Sequence, residues 1–543
     1  LIIIINLNGM KRGVIVLRKI LFLFVAVLLI VTGCSQSNES SSSTSKSESD
    51  GKKIVRIGWQ NSGFPSPFTF DTNGPGGFLR NSFLFDTLTW KDDTGVIPWL
   101  ASSWKVSEDN LEYTFTLEKD VTFHDGESLT ADDVVFSYNY FKENTFQWNA
   151  DMTKVASAEK VSDDEVKITL AEPYVPFISE IAGKLPIIPE HIWSDVEQPL
   201  EYQEDEALIG SGPFTLDSYD SATGNYKFAK NENYFKGDVT VDEVQYLATE
   251  NRMLSLQNKE IDGGMTFNYT EVQQLKELGY DVLKSEPTGS AVRIVFNLEN
   301  EQLSDKNLRQ AIAYALNRTS IAEKLTGNSE VMVGSAGVIP PDSTWYKEDV
   351  KQYDYNVEQA NAILDKLGYE KNDADVREDL DLSVLVSSTS QEAELMKSML
   401  ADVGIELDIQ TVDSATFSTA MAEGKYDMTI TGHIGLSGDP DFLRLWFSGQ
   451  ASNSLAGKGV FDNEEFQELA SLQLKQGKEA ERKATVDEMQ DTLAEELPTL
   501  VLYHRPFYYV YDSSVFAGWF NTYGGIADGI PLTDNKAVFV DYK

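Results

Sequence analysis

Short apolar runs, several of them alternating with polar residues, recur along the chain from residue 52 onward. Successive side chains of a strand point to opposite faces, so Ile54-Val55-Arg56-Ile57-Gly58-Trp59 predicts a strand with one buried face. Similar runs predict further strands at residues 113–117, 166–170, 292–296, 382–386 and 500–503.

Apolar residues spaced three and four apart predict helices between these strands. The helices are expected at residues 131–141, 306–316, 357–367, 391–400 and 480–493. Thr130 and Asn356 are placed to cap two of them, and Gly368 to end one. Both kinds of element are mixed throughout and no fixed-period repeat is visible, so we predict a large α/β protein.

The apolar run at residues 20–31 differs, because a positively charged flank with four Lys and Arg residues precedes it. Its length falls short of the roughly 20 residues that span a bilayer as a helix, which disfavours a transmembrane anchor. Small Gly33 and then Cys34 follow it, as in a lipoprotein signal. We therefore predict a signal peptide at residues 1–33 and a lipid on Cys34. That lipid would be the only membrane contact and would hold the protein at the outer face of the cytoplasmic membrane.

Serine occupies nine of the fifteen positions from 35 to 49. A segment with so few apolar residues cannot form a core, so residues 34–51 are predicted to be a flexible tether.

Length and charge narrow the possible classes of protein. A chain of 543 residues exceeds a single hydrophobic core and predicts at least two lobes. Cys34 is the only cysteine, which excludes disulfides and thiolate metal sites from the exported part. The net charge of −41 repels phosphate backbones and excludes nucleic acid as a partner.

A hydrolase outside the cell is the first enzyme hypothesis, but its motifs are missing. The sequence has no Gly-x-Ser-x-Gly elbow, no His-Glu-x-x-His zinc helix and no phosphate-binding loop. Its histidines are His124, His191, His433 and His504. We predict no catalytic residue and no cofactor; a surface hydrolase or a sensor stays as the alternative of another class.

Aromatic residues make up 11% of the chain, and several adjoin glycine or proline. Such rings on loops give rigid surfaces suited to lining a ligand cleft. The candidates are Trp59, Phe64, Trp519 and Tyr523, and the last two, beside Gly518 and Gly524, are preferred. The alternative is that these rings pack in the core.

Several segments, in order, resemble one family. They are 100–126, ending in Phe123-His124-Asp125-Gly126, then 129–138, Gly210-Ser211-Gly212-Pro213-Phe214, 231–237, 305–318, and Tyr426-Asp427-Met428-Thr429 leading to Gly438-Asp439-Pro440. Together they are similar to the extracellular solute-binding proteins of dipeptide, oligopeptide and nickel ABC importers, family 5. Within these segments His124, Arg309 and Arg318 are expected to be structural, the arginines pairing with acidic neighbours.

The resemblance implies an α/β, two-lobed periplasmic-binding-protein type 2 fold with an extra domain inserted in lobe I. Lobe I is expected at residues 52–90, 206–291 and 504–543, the extra domain at 91–205, and lobe II at 292–503. The strands at 292–296 and 500–503 are expected to be the hinges between the lobes.

The resemblance also implies a function. A small ligand would bridge the lobes and stabilise their closed form, which the permease subunits of an ABC importer would recognise. The expected ligand is a small peptide, the expected state a monomer, and no catalysis is expected.

One segment departs from the peptide-binding relatives. They hold the α-amino group of the ligand with an aspartate four residues before the proline of the Asp-Pro motif, where this chain has Leu436. Asp439 could substitute for it. His433 stands where an aromatic residue is usual.

This departure raises two alternatives to a peptide ligand: a metal chelate, and a sugar or other small solute. His433 and His504 could both reach the cleft, and a neutral imidazole is a common ligand of nickel or copper. Tyr503, beside His504 at the end of a hinge strand, is a further candidate contact with the ligand.

Overall fold

The computed structural model describes residues 51–59, 63–68, 81–144, 150–327, 331–448, 461–525 and 535–542. The predicted signal peptide, Cys34 and the tether up to residue 50 lie outside these residues. In the part of the chain that is described, no helix combines the length and the apolar character needed to cross a bilayer.

The strands are numbered in chain order. They are β1 (Ile54–Trp59), β2 (Thr89–Lys91), β3 (Val96–Pro98), β4 (Ala101–Val106), β5 (Glu112–Leu117), β6 (Val155–Lys160), β7 (Glu165–Leu170), β8 (Phe214–Asp220), β9 (Asn225–Lys230), β10 (Asp238–Val239), β11 (Glu243–Ala248), β12 (Gly263–Thr266), β13 (Asp281–Lys284), β14 (Ser290–Phe296), β15 (Met332–Val333), β16 (Leu382–Val386), β17 (Leu407–Thr411), β18 (Met428–Ile434), β19 (Thr499–His504), β20 (Tyr508–Tyr511) and β21 (Val540–Asp541).

The α-helices are numbered in the same way. They are α1 (Ala131–Glu143), α2 (Phe177–Glu180), α3 (Glu190–Trp193), α4 (Arg252–Gln257), α5 (Tyr269–Glu277), α6 (Lys306–Ala315), α7 (Arg318–Thr326), α8 (Val357–Lys366), α9 (Gln391–Ala401), α10 (Ser414–Glu423), α11 (Phe442–Phe447), α12 (Glu464–Gln473) and α13 (Glu479–Glu496). Short 3₁₀ turns lie at Met152–Lys154, Asp205–Leu208 and Lys536–Phe539.

A seven-stranded sheet, in the order β13-β20-β12-β1-β11-β9-β8, forms the first lobe. The central strand β1 runs parallel to β11 and β12, its neighbours on either side. Val55 and Ile57 of β1 are fully buried, as the alternation in the sequence predicts. A separate antiparallel sheet, β4-β5-β7-β6, lies beside α1 and buries alternate residues of β5.

A six-stranded sheet, in the order β15-β19-β14-β18-β16-β17, forms the second lobe. Every residue of β14 and of β19 is buried, because apolar clusters cover both faces of the sheet. Strands buried on both faces have continuous apolar runs, which is how these two strands stand out in the sequence.

The chain passes between the two lobes at residues 285–289, between β13 and β14, and at residues 505–507, between β19 and β20. The amide of Ser285 donates to the carbonyl of Phe507 at 2.9 Å, and Ser290 Oγ donates to the carbonyl of Arg505 at 2.5 Å. The strands expected to be hinges are therefore adjacent strands inside the second lobe. Their apolar runs report burial on two faces, and the crossings lie just outside them.

The predicted capping residues act as expected. Thr130 accepts from the amide of Asp132 at the start of α1, and Asn356 accepts from the amide of Gln359 at the start of α8. Gly368, just beyond α8, has a φ of +92°, a value that glycine adopts without strain.

The expected structural role of His124 is confirmed, while the partners expected for Arg309 and Arg318 are wrong. His124 is hydrogen-bonded to the carbonyl of Gly212 at 3.0 Å. The guanidinium groups of Arg309 and Arg318 donate to backbone carbonyls, including those of Leu497 and Val501, and not to acidic side chains. Buried carbonyls need donors, and the two arginines supply them, at the end of α13 for Leu497 and within β19 for Val501.

The segment Gly210-Ser211-Gly212 packs directly against the backbone at Leu84. A Cβ on Gly210 would lie 2.0 Å from the carbonyl oxygen of Leu84, so no other residue fits there. Ser211 Oγ between the glycines donates to Asp86 at 3.0 Å.

Asp86 is the centre of a buried charged network. Lys536, near the C-terminus, places its ammonium group 2.5 Å from the Asp86 carboxylate, and neither side chain has any exposed surface. Trp99 Nε1 and the hydroxyl of Tyr234 also donate to Asp86, at 2.8 and 2.9 Å. Burial lowers the pKa of Lys536, and the charge of Asp86 opposes that change. The pair holds the 3₁₀ turn at Lys536–Phe539 against the first lobe.

Lys536→Met should lower the free energy of unfolding by about 3–5 kcal/mol, because it leaves the buried carboxylate of Asp86 without its cation. Chemical denaturation measures the change. Lys478→Met is the matched control, since Lys478 pairs with Glu481 on the surface with 80% of its side chain exposed. The control should cost less than about 1 kcal/mol. Equal effects of the two substitutions would contradict the role given to the buried pair.

Candidate functional site

The carboxyl ends of strands from both sheets meet the crossings between the lobes. In the first lobe β1, β11, β12 and β13 are mutually parallel, and β13 leads straight into residues 285–289. In the second lobe the carboxyl ends of β16, β17, β18 and β19 share one edge, and β19 leads into residues 505–507. Open α/β sheets bind ligands outside such carboxyl ends. The space bounded by these two edges and the crossings is the candidate site, called the cleft below.

Trp59 is half-buried at the carboxyl end of β1. The guanidinium of Arg252 lies 5.7 Å from the centre of its ring, and Arg252 Nη1 donates to the carbonyl of Met265 at 3.1 Å. A pocket of about 460 Å³ opens beside this edge and is lined by Arg252, Met265 and Phe267, among others. Trp59, which was predicted as a ring beside a glycine on a loop, thus lies at the end of a strand and next to the edge of the cleft.

Phe267 and Phe507 form the aromatic floor next to the crossings, with ring centres 4.2 Å apart. The guanidinium of Arg505 lies 4.2 Å from the centre of the Phe267 ring. Neither Phe267 nor Arg505 was expected from the sequence. Phe267 adjoins no glycine or proline, and the Arg505-Pro506 step was the only available signal.

On the second lobe, His433 is half-buried near the carboxyl end of β18. Its ring centre lies 4.2 Å from that of Trp446, and Arg293 stacks on the same indole at 4.2 Å. The next residue, Ile434, is 38% exposed. His433 therefore reaches the edge of the cleft while its ring packs on an aromatic neighbour.

Leu436 lies in the apolar core and not on the wall of the cleft. Its side chain is 1% exposed, and its amide donates to the carbonyl of Gly289 in the first crossing at 3.1 Å. Leu436 thus contacts the first crossing through its backbone amide.

Asp439 is occupied by a cation of its own lobe. Arg482 donates to both carboxylate oxygens, at 2.7 and 2.5 Å, and the Arg482 side chain is 5% exposed. The amide of Asp441 also donates to Asp439 at 2.9 Å. With its charge neutralised in this way, Asp439 is poorly suited to replace the aspartate that holds a ligand amine.

Tyr503 and His504 are buried in the second sheet. The hydroxyl of Tyr503 donates to Glu392 at 2.8 Å. His504 has no exposed surface, and its Nε2 accepts from the amide of Ser335 at 3.3 Å. Burial lowers the pKa of His504 to about 3.

His433 of β18 and His504 of β19 both pair with Ala291 of β14, one on each side, so they lie at the same level of the sheet. His504 is nevertheless sealed within the protein. Among the described residues no three His, Cys, Asp or Glu side chains cluster as a metal site would require.

The remaining aromatic candidates differ in position. Trp519 is 7% exposed, with its ring centre 4.7 Å from that of Tyr509 in the core of the first lobe. Phe64 is half-buried and contacts Tyr219 of β8, three strands away from β1. Tyr523 is 45% exposed.

Tyr523 belongs to a loop that reaches the second lobe. A Cβ on its neighbour Gly524 would lie 3.5 Å from the carbonyl oxygen of Ser437, next to Leu436. Of the two preferred candidates, Tyr523 therefore lies near the cleft and Trp519 does not.

A second contact joins the lobes away from the crossings. The amide of Val175, which follows β7, donates to the carbonyl of Leu474 after α12 at 2.9 Å. The adjacent Tyr174 is only 6% exposed. The segment after β7 is thus also in contact with the segment after α12.

Known proteins share both the sequence and the architecture. The family model for bacterial extracellular solute-binding proteins, family 5 Middle, matches residues 95–454. The dipeptide-binding protein of Escherichia coli (strain K12) is 26% identical over 442 residues, which are 76% of this chain and 81% of that protein. The nickel-binding periplasmic protein of the same organism is 24% identical over 431 residues, 73% of this chain and 80% of that protein.

The solved structure of the ABC transporter substrate-binding protein CtaP from Listeria monocytogenes has a TM-score of 0.76 to this chain at 23% identity. The match covers 90% of this chain and 99% of CtaP. It confirms the α/β, type 2 periplasmic-binding-protein fold.

The lowered pKa of His504 predicts how the free energy of unfolding depends on pH. Its pKa is lower in the folded than in the unfolded protein, so the unfolded state binds the additional proton below pH ~6.5. Stability due to this group is complete above pH ~6.5 and declines by about 1.4 kcal/mol per pH unit as the pH falls toward 3.

His504→Gln should remove that part of the slope when the free energy of unfolding is measured by denaturant titration from pH 7 to 5. His191→Gln is the control, because the side chain of His191 is 42% exposed. Burial also lowers the pKa of His124, which contributes its own slope in both variants. A slope unchanged by His504→Gln would show that His504 takes up its proton in the folded protein.

Proposed function

The chain belongs to the bacterial extracellular solute-binding proteins of family 5, the solute-binding components of ABC importers for peptides or nickel chelates, and we propose that it captures a small peptide in the cleft and delivers it to a membrane permease. Its homologues are solute-binding proteins and not enzymes. The cleft is accordingly a binding site without a catalytic group.

One observation carries this proposal. The carboxyl ends of both sheets adjoin two crossings that are hydrogen-bonded to each other. Two short crossings let the lobes rotate toward each other, and a ligand that contacts both lobes favours the closed form. Trp59 on one lobe and Ile434 on the other provide apolar surface for such a ligand.

A peptide is favoured over a nickel chelate by the state of the histidines. His504 is sealed from the cleft and engaged by Ser335, which leaves His433 as the imidazole at its edge. One imidazole could still bind a metal whose other ligands come from a chelator. The relationship to the nickel-binding protein of Escherichia coli keeps the chelate as the second candidate.

We also propose that a lipid on Cys34 anchors the protein outside the cell and that the serine-rich segment to residue 51 is its tether. With the crossings placed at residues 285–289 and 505–507, lobe I would comprise residues 52–90, 206–284 and 508–543, the extra domain 91–205, and lobe II 290–504. In this arrangement a monomer swings at the membrane surface beside the permease.

Native mass spectrometry of the protein as purified tests the ligand directly. We expect an additional mass in the range of short peptides, and a denatured spectrum of the detergent-extracted protein that begins at Cys34 with acyl chains attached. A nickel or copper isotope pattern in the native complex would replace the peptide by a chelate. A protein that carries no ligand and binds neither peptides nor nickel chelates when titrated would contradict the proposed capture function.

A further inference from the structure

Arg505 lies in the second crossing, and its guanidinium is unpaired among the described residues. The protein has 86 acidic residues against 45 basic ones, yet the Arg505 guanidinium has no hydrogen bond and no ion pair to any residue that the structure describes. Its Nε is buried without a partner. Seven other arginines donate hydrogen bonds: Arg56 to Asp262, Arg252 to Met265, Arg309 to Leu497, Arg318 to Val501, Arg377 to Val403, Arg444 to Asp441 and Arg482 to Asp439. Arg293, in contrast, is fully buried and stacks on Trp446.

The backbone fixes Arg505 at the cleft. It lies in the second crossing, where its amide donates to the carbonyl of Ser290 at 3.3 Å and its carbonyl accepts from Ser290 Oγ at 2.5 Å. The side chain stacks over Phe267 of the first lobe. On the second lobe Nη2 lies 4.0 Å from the place where a Cβ would stand on Gly432, so the absent side chain leaves it room.

The carboxylate that could neutralise this cation from the second lobe is otherwise engaged. Glu392 accepts from the hydroxyl of Tyr503 at 2.8 Å and from Ser390 Oγ at 3.0 Å. It makes no ion pair with Arg505 within the described part of the chain. Among the described residues, no carboxylate forms an ion pair with the guanidinium in this crossing.

An unpaired guanidinium is costly to withdraw from water, and an anionic partner offsets that cost. A guanidinium stacked on a ring keeps its N–H groups free at its edge, and their fork matches the two oxygens of a carboxylate. Two positions of the second lobe that could hold a ligand amine are unsuited to it, since Leu436 is apolar and Asp439 is paired with Arg482. Glu286 of the first crossing is exposed and forms no ion pair with Arg505 in the described chain, so the guanidinium stays available to a carboxylate of the ligand.

We propose that Arg505 binds a carboxylate of the ligand, so that the cleft selects small peptides by a carboxylate and not by a free amino terminus. This inference rests on the proposed capture of peptides. Arg505 is then the residue that determines the charge of the accepted ligand, and its contact links that ligand to the crossing about which the lobes move.

The test uses three pools of randomised tripeptides: unmodified, N-acetylated and C-amidated. Calorimetric titration of the full chain should give equal affinity, within about 3-fold, for the first two pools. The C-amidated pool should bind about 10- to 100-fold more weakly, as expected for the loss of a charge-assisted hydrogen bond.

Arg505→Gln should reduce the affinity for the unmodified pool by the same factor and should no longer distinguish it from the C-amidated pool. Arg505→Lys should retain part of the preference, since it keeps the charge and loses the fork. Lys425→Gln is the control, because it removes the same charge from a side chain that is 74% exposed and pairs with Glu423. The midpoint of thermal unfolding of Arg505→Gln should equal or exceed that of the wild type, which separates lost binding from lost folding.

The outcomes distinguish the inference from the function on which it rests. Binding of the unmodified pool that Arg505→Gln does not change, or that amidation does not weaken, would overturn the role of Arg505 and leave peptide capture standing. Loss of binding on N-acetylation would show selection by the amino terminus and also overturn it. No binding of any pool by the wild-type protein would overturn the proposed capture of peptides and this inference together.

Discussion

The two crossings between the lobes are the constraint on which the rest of the structure depends. Residues 285–289 and 505–507 are held side by side by hydrogen bonds from Ser285 to Phe507 and from Ser290 to Arg505. Because β13 and β19 both end there, the carboxyl ends of their parallel neighbours are brought to the same place. The cleft, its aromatic floor and its charge all follow from where the chain crosses.

Some of the charged side chains near the core and the crossings are paired within a lobe, whereas one is unpaired among the described residues and available to a ligand. Asp86 and Lys536 neutralise each other in the first lobe, and Asp439 and Arg482 do so in the second. Such buried pairs are stable only while both partners are present. Arg505 has no such partner in the described chain, and it lies where the lobes meet.

The local sequence pattern predicted the strands and helices, whereas contacts between segments distant in the sequence determine which residues form the cleft. The alternation at Ile54–Trp59 and the caps at Thr130 and Asn356 reflect short-range geometry, so they could be read from the sequence. The continuous apolar runs of β14 and β19 were recognised, but such a run shows only that a strand is buried. It does not show whether the strand is a hinge or lies inside a lobe. A glycine beside an aromatic residue does not reveal exposure either, as Trp519 in the core and Tyr523 near the cleft demonstrate. That Arg505 forms no ion pair with a described residue is a property of the folded chain alone.

The central claim is that a ligand binds between the lobes and draws them together about the crossings. Small-angle X-ray scattering of the protein with and without a saturating ligand tests it most directly. The account predicts a smaller radius of gyration and a shorter maximum dimension in the bound state. A ligand shown by calorimetry to saturate the same sample, with the scattering curve unchanged, would contradict it.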